Sequence, residues 1–411
     1  EQNITIRKNR VTAASTQIDV KTAKAALFPS LSFSTGHQVV NRPYQETSSR
    51  VSGSEIISSN SKTSYNGNYG LNASWTLYNG NKRLKTIQQE KLNNQMAELD
   101  VATSENNIQE SIAQVYIQIL YAAESVKVNE NTLQVSIAQR DRGQELLNAG
   151  SIAKSDLAQL EAQVSTDRYQ LVTAQATLED YKLQLKQLLE LDGENEMNIY
   201  LPALSDENVL APLPTKRDVY ISALSLRPEI EASKLNVEAS ELGINIAKSS
   251  YFPTISLSAG IGTNHTSGSD FTFGEQVKNG WNNSIGLSVS VPIFNNRQTK
   301  SAVQKAKLQY ETSMLSLLDE QKALYKTIES LWLDANSAQQ RYAAANEKLK
   351  STQISYELIS EQFNLGMKNT VELLTEKNNL LQAQQEQLQA KYMAILNTQL
   401  LKFYQGDQLA L

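Results

Sequence analysis

Two histidines, His37 and His265, are the chain's whole supply of imidazole, and cysteine is absent. Thiolate metal sites and disulfide frameworks are therefore excluded, an absence that also permits an oxidising compartment. Imidazole can ligate a metal or carry a proton near neutrality. Here, however, the two occur singly, in "STGHQVV" and "GTNHTSG", with no cluster of ligands beside either. Each is read as a surface imidazole at a strand or loop position, and no metal site or cofactor is expected. There is no Gly-rich phosphate loop, nucleophile elbow or HExxH. The residues thus point away from catalysis.

The charge balance narrows the partners. A net charge of -5 without a block of basic residues offers nothing to nucleic acid. A 411-residue chain that is only 40% hydrophobic is lean for compact cores and calls for a large solvated surface. No signal peptide is recognisable, and no apolar run approaches the ~20 residues of a membrane helix. If the chain enters a membrane, it enters as strands.

Glycine and proline mark out the elements. Neither occurs in 81–142, 151–192, 297–365 or 367–405, whereas both crowd into 29–80 and 193–296. Four long helices are expected, joined in pairs by the Gly-containing reversals "LLNAGSIAKSDL" and "QFNLGMKNTVEL". The stretch "AALFPSLSFSTGH" at 25–37 has a near double in "SSYFPTISLSAGI" at 249–261. Tyr78-Asn79 likewise matches Phe294-Asn295, and Asn148-x-Gly150 matches Asn364-x-Gly366. Two copies of helix, strand, loop, strand, long helix, turn and long helix fill the chain, as a gene duplication would leave them. The eight-residue difference between copies is assigned to a longer polar loop at 44–64.

The strands alternate. Tyr65, Tyr69, Leu71, Ala73, Trp75 and Leu77 fall on one face, opposite Asn66, Asn68, Asn72, Ser74 and Thr76. Ile255, Leu257, Ala259 and Ile261 oppose Ser256, Ser258 and Gly260; Ile285, Leu287, Val289, Val291 and Ile293 oppose Ser284, Gly286, Ser288 and Ser290. None of 27–41, 65–78, 251–264 and 281–294 contains Asp, Glu, Lys or Arg. Small neutral residues on the wet face favour a lipid-facing barrel around a water-filled lumen over half-buried strands of a soluble sheet. Four strands cannot close a barrel, so several copies must share one.

The helices carry a seven-residue seam. Leu157, Val164, Leu171, Leu178 and Leu185 repeat, with Leu160, Ala174, Tyr181 and Leu188 three positions after the first, third, fourth and fifth. Leu374, Leu381, Leu388 and Ile395 keep the spacing in the second copy. At 1.5 Å per residue, the helix leading to the first turn would run roughly 100 Å. A free-standing cytosolic coiled-coil scaffold explains the seam equally well, but it leaves the strands without a role.

"FPSLSFS" and "FPTISLS", the strand endings "LYNGNKR" and "IFNNRQT", the link "LRPEIEASKLNVEASELGINIAKSSYFP", the two turns and the ending "YQGDQLAL" together resemble the TolC-type outer-membrane efflux proteins, the outer membrane factors. The resemblance covers essentially the whole chain. It implies a mainly α protein with a membrane β-barrel. Three chains would give four strands each to a twelve-stranded barrel, continued by a long α-helical coiled-coil tunnel in the periplasm. The divisions implied are 1–27, leading helix; 28–80, first barrel hairpin; 81–192, first helical hairpin; 193–250, inter-repeat linker, equatorial belt and helix; 251–294, second barrel hairpin; and 295–411, second helical hairpin and C-terminal segment. The second leading helix is expected from Val219 to Tyr251, and the native chain is expected to extend upstream with a signal peptide.

Function follows from the resemblance in the same way. It implies an exit duct in the outer membrane of a Gram-negative bacterium, carrying small molecules or polypeptides outward. Its partners would be two further copies of the chain, a periplasmic adaptor (membrane fusion protein), an inner-membrane RND or ABC transporter, and outer-membrane lipid. Leu71, Trp75, Leu257, Leu287 and Val289 would face lipid. Gly150, Ser151, Ile152, Leu365, Gly366 and Met367 at the turns would meet the adaptor. The family's closing latch maps to Asp156, Phe363 and Lys368, and its acidic ring to Glu372, with Thr375 where a second acid is expected. Phe363 has no hydroxyl to donate, and Lys368 replaces a forked guanidinium with one mobile charge. A Lys368–Asp156 ion pair is therefore the expected chief restraint.

Overall fold

In the computed structural model, residues 2–44, 48–52, 55–59, 62–191, 199–200, 209–267, 269 and 271–409 are described. The elements run α1 (Ile4–Ala25), β1 (Ser30–Asn41), β2 (Ser48–Ser52), β3 (Glu55–Ser59), β4 (Thr63–Asn79), α2 (Lys82–Asn148), α3 (Lys154–Leu188), α4 (Lys216–Leu226) and α5 (Pro228–Ser249). There follow β5 (Thr254–Thr266), α6 (Phe273–Asn279), β6 (Asn282–Ser290), α7 (Gln298–Asn364) and α8 (Thr370–Gln405). They belong to two compact units: Glu1–Ala13, Ala97–Lys234 and Ser316–Leu411 in one, Ala14–Met96 and Leu235–Leu315 in the other.

The duplication is visible residue by residue. Helices α2 and α7 both have 67 residues, and α3 and α8 have 35 and 36. Left-handed backbone recurs at equivalent places. Gly80 and Asn81 (φ 66° and 62°) correspond to Asn296 and Arg297 (49° and 65°), Gly150 (73°) to Gly366 (74°), and Glu190 (54°) to Gly406 (102°). Each pair marks a helix boundary, where the chain must reverse or stop a helix.

In the first unit the core lies between α4, α7 and α8, where Val219, Ala223, Ile328, Ala335 and Leu401 are buried, and between α2 and α8 at Ile117, Leu120, Tyr392, Leu396 and Leu400. Alanines dominate where α7 meets α8, at Ala338, Ala390 and Ala394. Small side chains allow long helices to approach closely. Gly143 does the same for α2 and α3, since a Cβ there would lie 2.4 Å from Leu160 Cδ1.

The second unit holds an antiparallel sheet in the order β1-β4-β5-β6. Its register sets Phe33 opposite Leu71, Leu71 opposite Ile261, Trp75 opposite Leu257 and Leu257 opposite Leu287. Opposed residues share a face, so these apolar positions fall on one side; Val40, opposite Ser64, is an exception at the far end of β1.

Four expectations change. Register shifts between Thr76 and Tyr78, so Tyr78 and not Leu77 stands opposite Ile255. Strand β6 ends at Ser290, because Pro292 has no N–H for the ladder; Val291 and Ile293 are outside it. The second leading helix is broken into α4 and α5 at Arg227, whose ψ of 124° is what a following proline imposes. Inside the loop read at 44–64, β2 and β3 pair with each other. Residues 45–47, 53–54 and 60–61 of that loop, and 193–198 and 201–208 of the linker, lie outside the described residues. No helix among the described residues is long and apolar enough to cross a membrane.

Candidate functional site

The two helical turns are built alike. Gly150 donates to Leu147 O at 2.9 Å and Ser151 to Leu146 O at 2.8 Å; Gly366 donates to Phe363 O at 2.9 Å and Met367 to Gln362 O at 2.8 Å. This crossed pair of bonds closes a helix through a left-handed glycine. The glycines are needed for φ alone, because nothing lies within 4 Å of a Cβ placed on either.

After each turn an acid caps the next helix. Asp156 Oδ2 accepts from Ala153 N at 3.0 Å. Glu372 Oε2 accepts from Asn369 N at 3.2 Å, while Asn369 Oδ1 accepts from Glu372 N at 2.9 Å. Both acids sit at the third helical position, where a carboxylate satisfies an otherwise free N–H and meets the positive end of the helix dipole. Alanine at 153 lacks the oxygen for the reciprocal bond that Asn369 makes.

Lys368 Nζ bonds Glu372 Oε1 at 2.6 Å. Within the chain the lysine is therefore paired with the acid one turn along its own helix start, and the expected Lys368–Asp156 pair is not formed. The ammonium, followed by the Asn369 N–H, holds the Glu372 carboxyl below its usual range. Phe363 is 2% exposed, packed into the helical core and turned away from solvent. Thr375 donates to Val371 O at 2.8 Å. Leu365 and Met367 are 75% and 70% exposed. Ile152 is half-buried, with its Cδ1 near Gly143. The second turn thus presents exposed Leu365 and Met367 beside a Lys368–Glu372 ion pair, and the first a half-buried Ile152 beside the capping Asp156.

Two polar clusters escaped the sequence reading. Lys377 on α8 bonds Asp167 on α3 and Ser136 on α2, and all three are buried. Gln163 Nε2 donates to the second Asp167 oxygen at 2.9 Å. The signal was present: the α3 seam lacks its apolar residue three places after Val164, and that place is Asp167. Arg227, at the α4–α5 break, bonds Glu110 at 3.0 Å and Glu229 at 2.8 Å, with its guanidinium carbon 4.2 Å from the Tyr404 ring centre. Burial there pushes the Tyr404 hydroxyl up to about 12.

On the sheet, Leu71, Trp75, Leu257, Leu287 and Val289 share one face, and Leu287 and Val289 are 65% and 59% exposed. The opposite face carries Ser, Asn and Gly. The outer edges of β1 and β6 have no strand partner among the described residues.

The sequence profile described as outer membrane efflux protein matches residues 1–190 and 219–406. The chain belongs to this family. Outer membrane efflux protein BepC of Brucella suis biovar 1 is 24% identical over 294 residues, covering 71% of this chain and 61% of that protein. Outer membrane protein TolC of Escherichia coli K12 is 24% identical over 294 residues, covering 69% and 58%. The matched region thus spans about three-fifths of these relatives' lengths. A solved structure of CusC superposes with a TM-score of 0.82 at 19% identity, covering 99% of this chain and 90% of that one. The Campylobacter jejuni CmeC outer membrane channel gives 0.76 at 17%, covering 100% and 85%. The efflux-protein fold accordingly extends over the whole chain, barrel strands and helical hairpins together.

Proposed function

We propose that this efflux-family protein is a passive outer-membrane duct formed by three copies of the chain. The observation that carries the reading is the sheet: four uncharged strands with one exposed apolar face, one face of small polar residues, and two unpaired edges. An open edge is untenable in lipid, where each unpaired backbone group costs several kcal/mol. Three sheets joined β1 to β6 close a twelve-stranded barrel with the apolar face outward and the polar face around water.

The helical hairpins then form the periplasmic part. Their tips, with Gly150, Ser151, Ile152, Leu365, Gly366 and Met367, are the docking surface for a periplasmic adaptor. An inner-membrane transporter of the RND or ABC type supplies the energy, and small molecules or polypeptides pass outward. Asp156, Lys368 and Glu372 form the constriction near the tips, repeated three times. Repetition concentrates the field of Glu372 and favours cations. Phe363 supports this collar from within the helical core.

The test is reconstitution of the purified protein in a planar bilayer, with mass measurement in detergent. A heat-resistant trimer that opens ion-conducting pores is expected. A monomer that stays soluble without detergent overturns the reading.

A further inference from the structure

The sheet brings together the two histidines that stand 228 positions apart in the chain, at 37 and 265. Strands β1 and β5 both pair with β4, and His37 and His265 are both opposite Gly67. All three lie in one row on one face, and the central residue has no side chain. A Cβ on Gly67 would lie 2.6 Å from His265 Nδ1 and 3.1 Å from His37 Nδ1. His265 Cε1 is nearer still, at 2.2 Å, so both rings lean over the space that a side chain at Gly67 would fill. A turn of each ring aims its Nδ1 into this space, where a transition metal would bond imidazole at about 2.0–2.1 Å.

We propose that His37 and His265, with the Tyr65 phenol as a third donor, form a binding site for a copper- or zinc-class ion on the apolar face of the sheet. The ring centroids are 6.3 Å apart. Two imidazoles bound through one ion reach at most about 6.4 Å, twice a ring radius plus a metal–nitrogen bond. The observed separation falls inside that limit, and a small rotation of either ring gives a bent arrangement.

The hydrogen bonds prepare the ligands. Tyr65 Oη lies 2.6 Å from His37 Nδ1, and Thr35 Oγ1 lies 3.2 Å from His37 Nε2. A phenol donating to Nδ1 leaves the ring proton on Nε2, which donates it to Thr35. An ion bound at His37 Nδ1 takes the place of the phenol proton, which is released, so that the Nδ1 lone pair and the Tyr65 oxygen both face the ion; the outer N–H stays anchored as metal-bound histidines require. His265 Nδ1 is buried and has no hydrogen-bond partner among the described residues. A buried nitrogen left unpaired is costly, and an ion beside Gly67 satisfies it.

The surroundings select the kind of ion. Tyr69 stacks on His265 at 5.9 Å, and Phe273 meets it edge-on at 5.0 Å. Neutral nitrogen donors among aromatic rings suit copper or zinc and not calcium or magnesium, which need several oxygens. Among the described residues no group of three or more His, Cys, Asp or Glu could hold a metal, so the third donor is the phenol. A bound ion ties β1 to β5 across β4 and stabilises the sheet by mass action.

The test exploits the composition: with no cysteine and no further histidine, imidazole coordination in this chain has one source. The full chain, tag-free, in detergent and stripped with EDTA, is titrated with copper(II) and followed by electron paramagnetic resonance. One copper per chain with two imidazole nitrogens is expected, with a melting temperature that rises with added metal. His37→Phe and His265→Phe keep a ring in place and remove one imidazole ligand each. Either should leave at most one nitrogen in the spectrum and abolish the melting shift, with the circular-dichroism spectrum unchanged. Gly67→Ala should abolish binding without removing a ligand, and Thr35→Val should weaken it by about 10-fold. A two-nitrogen spectrum that survives His265→Phe, copper uptake unchanged in the double variant, or no binding of copper(II) or zinc(II) by the wild type would overturn the proposal.

Discussion

The seam between α3 and α8 and the four-stranded sheet handle the same kinds of side chain in opposite ways. In the seam, Leu157, Leu160, Val164 and Leu381 are buried within one chain, and the charges placed among them, Asp167 and Lys377, find each other. In the sheet, Leu287 and Val289 stay open, and two edges stay unpaired. The seam is complete in one chain. In the proposed duct the sheet is completed by its surroundings, with lipid on one face and other copies at its edges. The comparison separates residues that hold the chain together from residues that would make it the proposed membrane duct.

The largest effect is expected in the seam. Lys377→Ala strands a buried carboxylate and should cost about 3–5 kcal/mol, read from denaturant unfolding in detergent. Replacing both charges, with Lys377→Met and Asp167→Leu together, should recover most of that loss, because apolar residues of similar volume need no desolvated partner. If the double variant is as unstable as the single, the pair is not the self-contained unit described here.

Next comes the sheet. Leu71→Arg or Leu287→Arg should cost about 2–4 kcal/mol near the bilayer midplane. Asn72→Arg or Ser288→Arg should be mild, since these face water. Equal loss of heat-resistant trimer from both classes would erase the distinction between the two faces.

At the tips no loss of stability is expected at all. Ile152→Glu with Met367→Glu should stop export from cells while the melting curve stays in place. Unaltered export would remove these residues from the docking surface.

The smallest effects are electrical. Lys368→Ala should raise single-channel conductance, and Glu372→Gln should weaken cation selectivity. Because Lys368 and the Asn369 N–H depress the Glu372 carboxyl, its charge is fully present above the usual carboxylate range and is lost only as pH falls through the lowered value. Selectivity should therefore persist into acid, and Lys368→Ala should move its loss to higher pH. Reversal potentials measured against pH decide this; a curve unmoved by Lys368→Ala disconnects the pair from the pore.

Much of the architecture was legible because its signals are periodic. Alternation over 65–76 and 255–261 established strands and their faces, since a strand has only two sides. The seven-residue seam and the absence of Gly and Pro marked the long helices, and the two copies confirmed each other. Local exceptions were harder to read. Pro292 shortens β6 and Pro228 breaks the second leading helix, although both prolines stood in plain view; the bulge at Leu77 left no mark. Thr272 and Glu275 form the capping box of α6, at a spacing that could have announced that helix.

By itself, then, the amino-acid sequence determined the elements, their apolar faces, the duplication and the family, because each is written in spacing along the chain. Tertiary structure alone decided which distant groups meet. It paired Lys377 with Asp167, folded Phe363 into the core, and set His37 beside His265 across Gly67. Such meetings depend on strand register and on helix rotation about its axis. Those are set by the packing of whole elements, and no local spacing encodes them.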